Sequence, residues 1–240
     1  IQWNAISLGV RDCTTQRSKQ KIIEETGDLW IKSHLLARLQ DIVVAVAKNI
    51  GYVGAGTFEF LYDSEKEIFT FMEMNTRIQV EHTITEKYLN ETFDKDLNLV
   101  ELQFQVAEWR THTILDPRNR EKLSRAIEEQ KRHVMEVRIC AEDPAKWFAW
   151  VSMAKIKNWQ LNLPRHLRKF VHFESFLSHE IGVNHTSKYD SMIGQLIVSG
   201  TTREHARKNT IEALRSLHIE WIPTNQEFAL RLLESDEFRD

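Results

Sequence analysis

Polar side chains recur at every second residue between Glu73 and Glu81. Residues 73, 75, 77, 79 and 81 are Glu, Asn, Arg, Gln and Glu, and the residues between them are Met, Thr, Ile and Val. Because successive side chains of a β-strand point to opposite faces, this period of two predicts an extended segment with one packed and one polar face. A polar face of this kind often does no more than meet solvent. Two carboxylates, two amides and a guanidinium could also bind ions, so the segment is a candidate site.

Another acidic residue, Glu59, lies between two phenylalanines in a stretch that favours a β-strand. Burying a lone carboxylate among aromatic rings is costly unless a cation meets it. A polar turn separates the strands predicted at 57–62 and 68–75, which predicts a hairpin with Glu59 near Glu73. With the Asn75 amide they form an oxygen-rich set that suits Mg²⁺. The structural alternative, an acid pair bridged by lysines, is disfavoured because like charges on facing strands destabilise a hairpin.

Elements of both kinds are predicted around these residues. Apolar residues keep helical spacing from residue 28 to residue 50, and Gly51 ends the run. Alternation predicts a strand at 133–141, and short antiparallel strands are predicted between 153 and 198. The other predicted helices are at 97–108, at 118–131, at 201–217 with Thr202 as N-cap, and at 225–233. Strands and helices in mixed order, without regular βαβ alternation, predict an α+β fold.

Composition narrows the possible functions. The chain has 240 residues, of which 42% are hydrophobic, and its net charge is −3, so it can bury a core and has no basic surplus for nucleic acid or an anionic membrane. No apolar run is long enough to span a bilayer. Two distant cysteines, Cys13 and Cys140, form neither a disulfide framework nor a zinc site. The first residues carry neither an initiator Met nor a leader-like segment, so we expect no targeting signal and a chain that begins inside a domain.

Two stretches of the chain resemble the signature of biotin carboxylases almost letter for letter. They are GYVGAGTFEF at residues 51–60 and FMEMNTRIQVEH at residues 71–82. Further segments match in the family's order, at residues 11–21, 136–144, 189–192 and 223–225. The resemblance leaves gaps around 90–130 and 145–188. It implies an α+β architecture with an ATP-grasp core of mixed or antiparallel sheet and helices at residues 1–140, followed by a biotin carboxylase C-terminal subdomain at 141–240.

The resemblance implies how ATP and its metal would be held. Glu59 and Glu73 would ligate the Mg²⁺ or Mn²⁺ ions that bridge the phosphates, with Asn75 assisting. Nucleotide contacts are implied for Gln16, Lys19 and Leu61. Lys19 stands where the family places a nucleotide-contacting histidine.

The resemblance also implies which residues act on bicarbonate and biotin. Glu81 would be the general base that deprotonates bicarbonate for attack on the γ-phosphate. Bicarbonate would be held by Lys21, Arg77, Gln79 and the Val80 backbone. Arg138 would stabilise the biotin enolate, and Tyr189 and Asp190 would shape the biotin side.

Several positions depart from the family pattern. Tryptophan stands where the family prefers glycine at Trp3, Trp109, Trp147 and Trp221. Thr83 replaces a proline, and residues 187–189 are Ser-Lys-Tyr in place of Pro-Tyr-Tyr. Where the replaced glycine has a positive φ, tryptophan would be strained by about 1 kcal/mol or more. The family's N-terminal domain, glycine-rich lid and adenine-contacting hinge have no counterpart in the sequence, so we expect the chain alone to bind ATP weakly and to turn over slowly.

The implied function is ATP-dependent carboxylation of biotin by bicarbonate. Implied partners are a biotin carboxyl carrier domain, a carboxyltransferase and further copies of the chain, and the expected compartment is the cytoplasm, or the mitochondrial matrix in a eukaryote. The acyl acceptor stays open, since acyl-CoA carboxylases of fatty acid metabolism and pyruvate carboxylase share this module. Two alternatives also stay open: a catalytically inert assembly module, and another ATP-grasp ligase. The RIQVEH run at residues 77–82 and Arg138 favour biotin carboxylase over the second.

Overall fold

A computed structural model describes residues 5–27, 29–93, 96–108, 132–151, 154–155, 158–175, 184–185 and 190–239. The chain divides into two compact units. The first comprises Ile1–Arg11 and Thr26–Lys131, and the second comprises Asp12–Glu25 and Arg132–Asp240. The predicted helix at 118–131 lies outside the described residues, as do Trp3, Trp109 and Tyr189.

The strands and helices of the described residues follow one another in mixed order. The strands are β1 (Arg11–Asp12), β2 (Gln16–Arg17), β3 (Gln20–Lys21), β4 (Ile23–Gly27), β5 (Thr57–Asp63), β6 (Ile68–Asn75), β7 (His133–Cys140), β8 (Glu142–Asp143), β9 (Ala149–Trp150), β10 (Ala154–Lys155), β11 (Trp159–Leu161), β12 (Val171–Ser175), β13 (Asn184–His185), β14 (Met192–Gly200) and β15 (Leu217–Ile219). The helices are α1 (Ser33–Asn49), α2 (His82–Phe93), α3 (Leu99–Ala107), α4 (Arg203–Ser216), α5 (Gln226–Glu234) and α6 (Asp236–Arg239), with a 3₁₀ turn at Pro144–Lys146. The α+β prediction is confirmed.

In the first unit, β5 and β6 form the predicted antiparallel hairpin. Glu59 lies directly opposite Glu73, and a bulge follows, because Phe60 pairs with Phe71 and leaves Met72 as an extra residue. Aromatic rings line the hairpin further along, where Tyr62 stacks on Phe69 with ring centroids 4.6 Å apart. Residues directly opposite one another on antiparallel strands share a face, so the register places the two carboxylates side by side.

The predicted strand does not continue beyond Asn75. Strand β6 ends there, residues 76–81 form a loop and turn, and α2 begins at His82. The loop folds back because the Gln79 side chain donates to Glu59, with Nε2 and Oε1 3.0 Å apart. The Gln79 carbonyl also accepts from the backbone N–H of His82, at 3.2 Å. The period-two interpretation of residues 76–81 is therefore wrong, since tertiary hydrogen bonds determine their backbone.

The second unit is built on a sheet in which β4, β7, β14 and β12 are neighbours in that order. β7 is buried on both faces except at Arg138, which is half-buried. Helix α4 packs against the sheet, and Thr202 caps it as predicted, accepting from the backbone N–H of His205 at 3.1 Å. The corner before this helix needs glycine, because a Cβ at Gly200 would clash with the backbone of Ala206.

Two of the tryptophans at family glycine positions have left-handed backbones. Trp147 has φ +55° and Trp221 has φ +75°. The conditional prediction of strain therefore applies at both positions.

Candidate active site

In the first unit, one amide bridges the two facing carboxylates. The Asn75 side chain donates to Glu59 Oε1 at 3.0 Å and to Glu73 Oε1 at 3.1 Å. The register explains why, since Asn75 lies two residues beyond Glu73 on the same face of β6. The prediction that the side chains of Glu59, Glu73 and Asn75 converge is confirmed. Metal binding by these residues stays a prediction.

A second amide and an arginine extend this cluster. Gln79 is buried and donates to Glu59 Oε1, while its own Oε1 accepts from Arg11. Arg11 also donates to the Thr85 hydroxyl, at 3.2 Å. Arg11 is 68 residues from Gln79 along the chain, and only its place in the family-like segment at 11–21 could have pointed to it. Its role is to hold the Gln79 amide in one orientation.

The carboxylate pair has the donor chemistry of a magnesium site. Ionised carboxylates only accept hydrogen bonds, so two of them side by side need a cation or amide donors between them. Among the described residues no group of three or more His, Cys, Asp or Glu could hold a metal. Glu59 and Glu73 would therefore supply two ligands, leaving the others to phosphate oxygens and water, as Mg²⁺ prefers. Turning the Asn75 amide by half a turn would present its carbonyl oxygen to the cation.

The remaining predicted residues of this unit lie on the loop after β6 and on β5. Glu81 is buried at the end of the loop, immediately before α2, whereas Arg77 and Val80 are exposed. Arg77 donates to the Ile78 carbonyl at 3.0 Å. Leu61 is exposed on β5.

Three further predicted site residues, Gln16, Lys19 and Lys21, belong to the second unit and lie on the tight hairpin formed by β2 and β3. Gln16 pairs with Lys21, and Ser18 and Lys19 at the turn both have positive φ. The Gln16 amide donates to the Cys13 carbonyl at 2.7 Å. Lys21 Nζ lies 3.8 Å from Glu24 Oε1.

Arg138 lies near the end of β7, where its backbone N–H donates to the Ile22 carbonyl at 3.0 Å. Asp190 is exposed, and its side chain accepts from the backbone N–H of Met192 at 3.0 Å. Burial raises the pKa of the neighbouring Cys140 thiol to about 12, which keeps this thiol protonated and unreactive.

A partly buried ion pair beside β7 could not be predicted from the sequence. Glu142 pairs with Arg17 and accepts from the Ser191 hydroxyl at 2.9 Å. The Arg17 guanidinium also lies 4.1 Å from the centre of the Phe148 ring. Arg17 and Ser191 stand beside predicted site residues, but sequence alone does not show that Glu142 joins them.

The chain matches two family models in succession. Residues 2–111 match "Carbamoyl-phosphate synthase L chain, ATP binding domain", and residues 136–240 match "Biotin carboxylase C-terminal domain". The fold is thus an ATP-grasp core followed by the biotin carboxylase C-terminal subdomain. The chain belongs to the biotin carboxylase family.

Individual relatives agree with this assignment. "Biotin carboxylase 2" of Bacillus subtilis is 35% identical over 99% of this chain and 48% of its own length. "Methylcrotonoyl-CoA carboxylase subunit alpha, mitochondrial" of Dictyostelium discoideum is 36% identical over 98% of this chain and 30% of its own length. The crystal structure of the biotin carboxylase domain dimer of Hydrogenobacter thermophilus 2-oxoglutarate carboxylase, in complex with MgADP, ADP and bicarbonate, has a TM-score of 0.80 and 31% identity over 99% of this chain and 47% of that one.

The chain spans about half the length, or less, of the curated relatives it matches. The relatives include bacterial, mitochondrial and chloroplastic proteins. Within the described residues, no helix is both long enough and apolar enough to cross a bilayer.

Proposed function

We propose that the protein is the biotin carboxylase component of a biotin-dependent carboxylase, which carboxylates biotin with bicarbonate at the expense of ATP. The observation that carries the proposal is the Glu59–Glu73 pair bridged by Asn75, in a chain that also matches the biotin carboxylase C-terminal domain. That second match favours this function over another ATP-grasp ligase. We also propose that the ATP-grasp core comprises residues 1–140 and the C-terminal subdomain residues 141–240.

The first half of the reaction would use the carboxylate cluster. Glu59 and Glu73 would hold Mg²⁺ or Mn²⁺, with Asn75 assisting, and the charge supplied there would neutralise the phosphates. Arg11 and Glu59 hold the Gln79 amide rigidly, so its second N–H can be aimed at a fixed acceptor. Preorganised donors of this kind stabilise developing charge without a cost of reorganisation.

Bicarbonate would be bound and activated by a set of cationic and polar residues. Arg77 can pair with a planar carboxylate-like anion through two N–H groups, and Lys21 adds a point charge. Gln79 and the Val80 backbone N–H would complete the site. Glu81 would take the proton from bicarbonate, so that a bicarbonate oxygen can attack the γ-phosphate.

The second half of the reaction would take place at biotin. Arg138 would hold the ureido oxygen as negative charge develops on it, after the N1′ proton leaves. Tyr189 and Asp190 would shape the biotin side, and Gln16, Lys19 and Leu61 would contact the nucleotide. The biotin would be presented by a carrier domain, a carboxyltransferase would accept the carboxyl group, and the protein would act as a homo-oligomer. We propose a bacterial cytoplasm or a mitochondrial matrix as its compartment.

The test is bicarbonate-dependent ATP cleavage stimulated by free biotin, assayed in the protein made from its complete gene. Glu81→Gln should lower the rate by about 10²-fold or more, the contribution of a positioned general base. Glu65→Gln removes an equal charge from the β5–β6 turn and should leave the rate unchanged. ATP cleavage that needs neither bicarbonate nor biotin would contradict the proposal.

A further inference from the structure

Asn225 occupies an N-cap position but does not cap its own helix. It directly precedes α5 and is completely buried, yet its side chain makes no capping hydrogen bond. Asparagine is among the preferred N-cap residues because its side-chain oxygen can accept from the first free N–H groups of a helix. The adjacent Thr224 hydroxyl accepts from the Gln226 N–H instead, at 3.3 Å. The Asn225 side chain therefore serves something other than α5.

The Asn225 side chain is hydrogen-bonded to the backbone of β7 on both sides of Ile139. Its Nδ2 donates to the Arg138 carbonyl at 2.8 Å, and its Oδ1 accepts from the Cys140 N–H at 2.8 Å. Its own backbone N–H donates to the Cys140 carbonyl at 3.2 Å. One residue thus satisfies three consecutive backbone groups along this edge of the strand.

The hydrogen bonds from Asn225 to β7 begin directly after the last backbone hydrogen bond between β7 and Ile22, the residue before β4. In an extended strand, the backbone groups of residues i and i+2 point to the same side. The Arg138 N–H bonds to the Ile22 carbonyl, so Asn225 continues the same edge one position further on. On the opposite edge, the β7–β14 register shifts between Met192 and Gly194. Near its end, β7 therefore relies on Asn225 where regular pairing is interrupted.

We infer that Asn225 is a positioning residue for Arg138. The inference rests on the proposed function, because it assigns Asn225 to the biotin half of that reaction. Asn225 binds the carbonyl of Arg138 and the N–H of Cys140. It therefore fixes the backbone of β7 at the residue that carries the guanidinium. A shift of about 1 Å in a positioning element can lower a rate by about 10²-fold, so an unanchored strand end would weaken the hold on the ureido oxygen.

The chain offers a matched control in the next residue. Gln226 also anchors the start of α5, since its Nε2 donates to the Leu214 and Leu217 carbonyls, both at 2.7 Å. Gln226→Ala therefore removes two side-chain hydrogen bonds from the same helix end without touching β7. A merely structural role for Asn225 predicts the same effect for both alanine variants.

The experiment compares two rates in the protein made from its complete gene: biotin carboxylation, and bicarbonate-dependent ATP cleavage without biotin. Asn225→Ala should lower kcat for the first at least about tenfold and change the second less than about threefold. Gln226→Ala should change both by less than about threefold. Asn225→Asp keeps the acceptor for the Cys140 N–H but places a carboxylate oxygen against the Arg138 carbonyl, so it should also lower biotin carboxylation selectively.

Equal loss of both activities in Asn225→Ala, or the same selective loss in Gln226→Ala, would overturn the inference. If Asn225→Ala does not fold, the ratio of the two rates in Asn225→Asp decides, and a ratio equal to that of the unmodified protein would refute it. An unmodified protein that shows no biotin-dependent activity would instead overturn the proposed function and, with it, the inference.

Discussion

Two tryptophan residues occupy backbone conformations that side chains other than glycine rarely adopt. Trp147 has φ +55° and Trp221 has φ +75°, and their side chains are 96% and 70% exposed, so neither gains much from burial. Left-handed backbone costs an ordinary residue about 1–2 kcal/mol. Glycine avoids this cost but loses more chain entropy on folding, about 0.4–1 kcal/mol.

We expect Trp147→Gly and Trp221→Gly each to raise the free energy of unfolding by about 0.5–1 kcal/mol. Urea denaturation followed by circular dichroism measures this. Trp150 lies in strand β9, so Trp150→Gly is the control and should lower stability. If both left-handed positions destabilise on mutation to glycine, the assignment of strain is wrong.

Glu59 and Glu73 face one another on the β5–β6 hairpin, and from this we predict how cation binding responds to mutation. Like charges opposite one another destabilise a hairpin, so Glu73→Gln should leave Tm without cation unchanged or slightly higher. The amide carbonyl introduced by this substitution can still accept from the Asn75 amide. In Glu73→Gln, Mg²⁺ with ADP should raise Tm less than it does in the unmodified protein. The affinity for the cation should fall about tenfold or more, which is about 1.4 kcal/mol of binding free energy.

Thermal unfolding with and without Mg²⁺ and ADP measures this effect. Glu65→Gln is the control, because it removes one charge from the same hairpin without touching the carboxylate pair. Equal responses to Mg²⁺ in the Glu73→Gln variant and the unmodified protein would refute the assignment of the metal site.

A buried ionic cluster joins four elements of the second unit. Glu25 on β4 contacts His133 on β7 at 2.7 Å and accepts two hydrogen bonds from Arg203 at the start of α4, at 2.9 and 3.1 Å. Arg203 also donates to the Phe238 carbonyl of α6, at 2.8 Å. Burial alone would raise the pKa of Glu25, but hydrogen bonds and charge from His133 and Arg203 together outweigh it and lower the pKa from its ordinary value of 4.5.

Because the pKa of Glu25 is lower in the folded state, its contribution to stability is complete above pH 4.5 and is lost as the pH falls through the folded value. Glu25→Gln should therefore lower the free energy of unfolding by about 3 kcal/mol at pH 7, as expected on breaking a buried pair. The difference from the unmodified protein should shrink below pH 4.5. A difference that stays constant into acid would contradict this prediction. Glu227→Gln, which breaks an exposed pair with Arg231, should cost less than about 0.5 kcal/mol.

Elements with strong local signals were predictable, and those set by distant contacts were not. The β5–β6 hairpin and α4 with its Thr202 cap follow from alternation, turn residues and capping chemistry within a few residues. The start of helix α2 at His82 was not predicted, because the polar alternation up to Glu81 suggested a strand. The loop at residues 76–81, which leads into α2, is held by the hydrogen bond from Gln79 to Glu59, 20 residues away. A sequence does not show which polar side chains will be buried together.

The candidate site residues divide between the two compact units of the chain. The cation cluster and Glu81 belong to the first unit, whereas Lys21 and Arg138 belong to the second. The carboxylate pair could be predicted because both residues lie on one local hairpin. The cluster of Arg17, Glu142 and Ser191 could not, because Arg17 and Glu142 are 125 positions apart and no local pattern joins them. Within the proposed reaction, Glu81 is assigned to bicarbonate and Arg138 to biotin, so we expect the two half-reactions to respond differently to mutation of these two residues.

The sharpest prediction concerns Arg138→Lys, which keeps the charge of the side chain but loses its planar fork of donors. A half-buried arginine could simply form a structural salt bridge, worth about 0–1 kcal/mol where solvent reaches it. If instead it holds the ureido oxygen, biotin carboxylation should fall at least about tenfold, or about 1.4 kcal/mol of barrier. Bicarbonate-dependent ATP cleavage without biotin should persist, because the proposed contact of Arg138 is with biotin and not with bicarbonate or the phosphates.

Steady-state kinetics of both activities, in the protein made from its complete gene, tests this. Arg168→Lys makes the same chemical change at an exposed position and should leave both rates unaltered. Equal loss of the two activities in Arg138→Lys would place Arg138 at the phosphates, where its charge would act on the transferred group. No loss of either would make it an arginine with a structural role only, and the biotin half of the reaction would then need another cation.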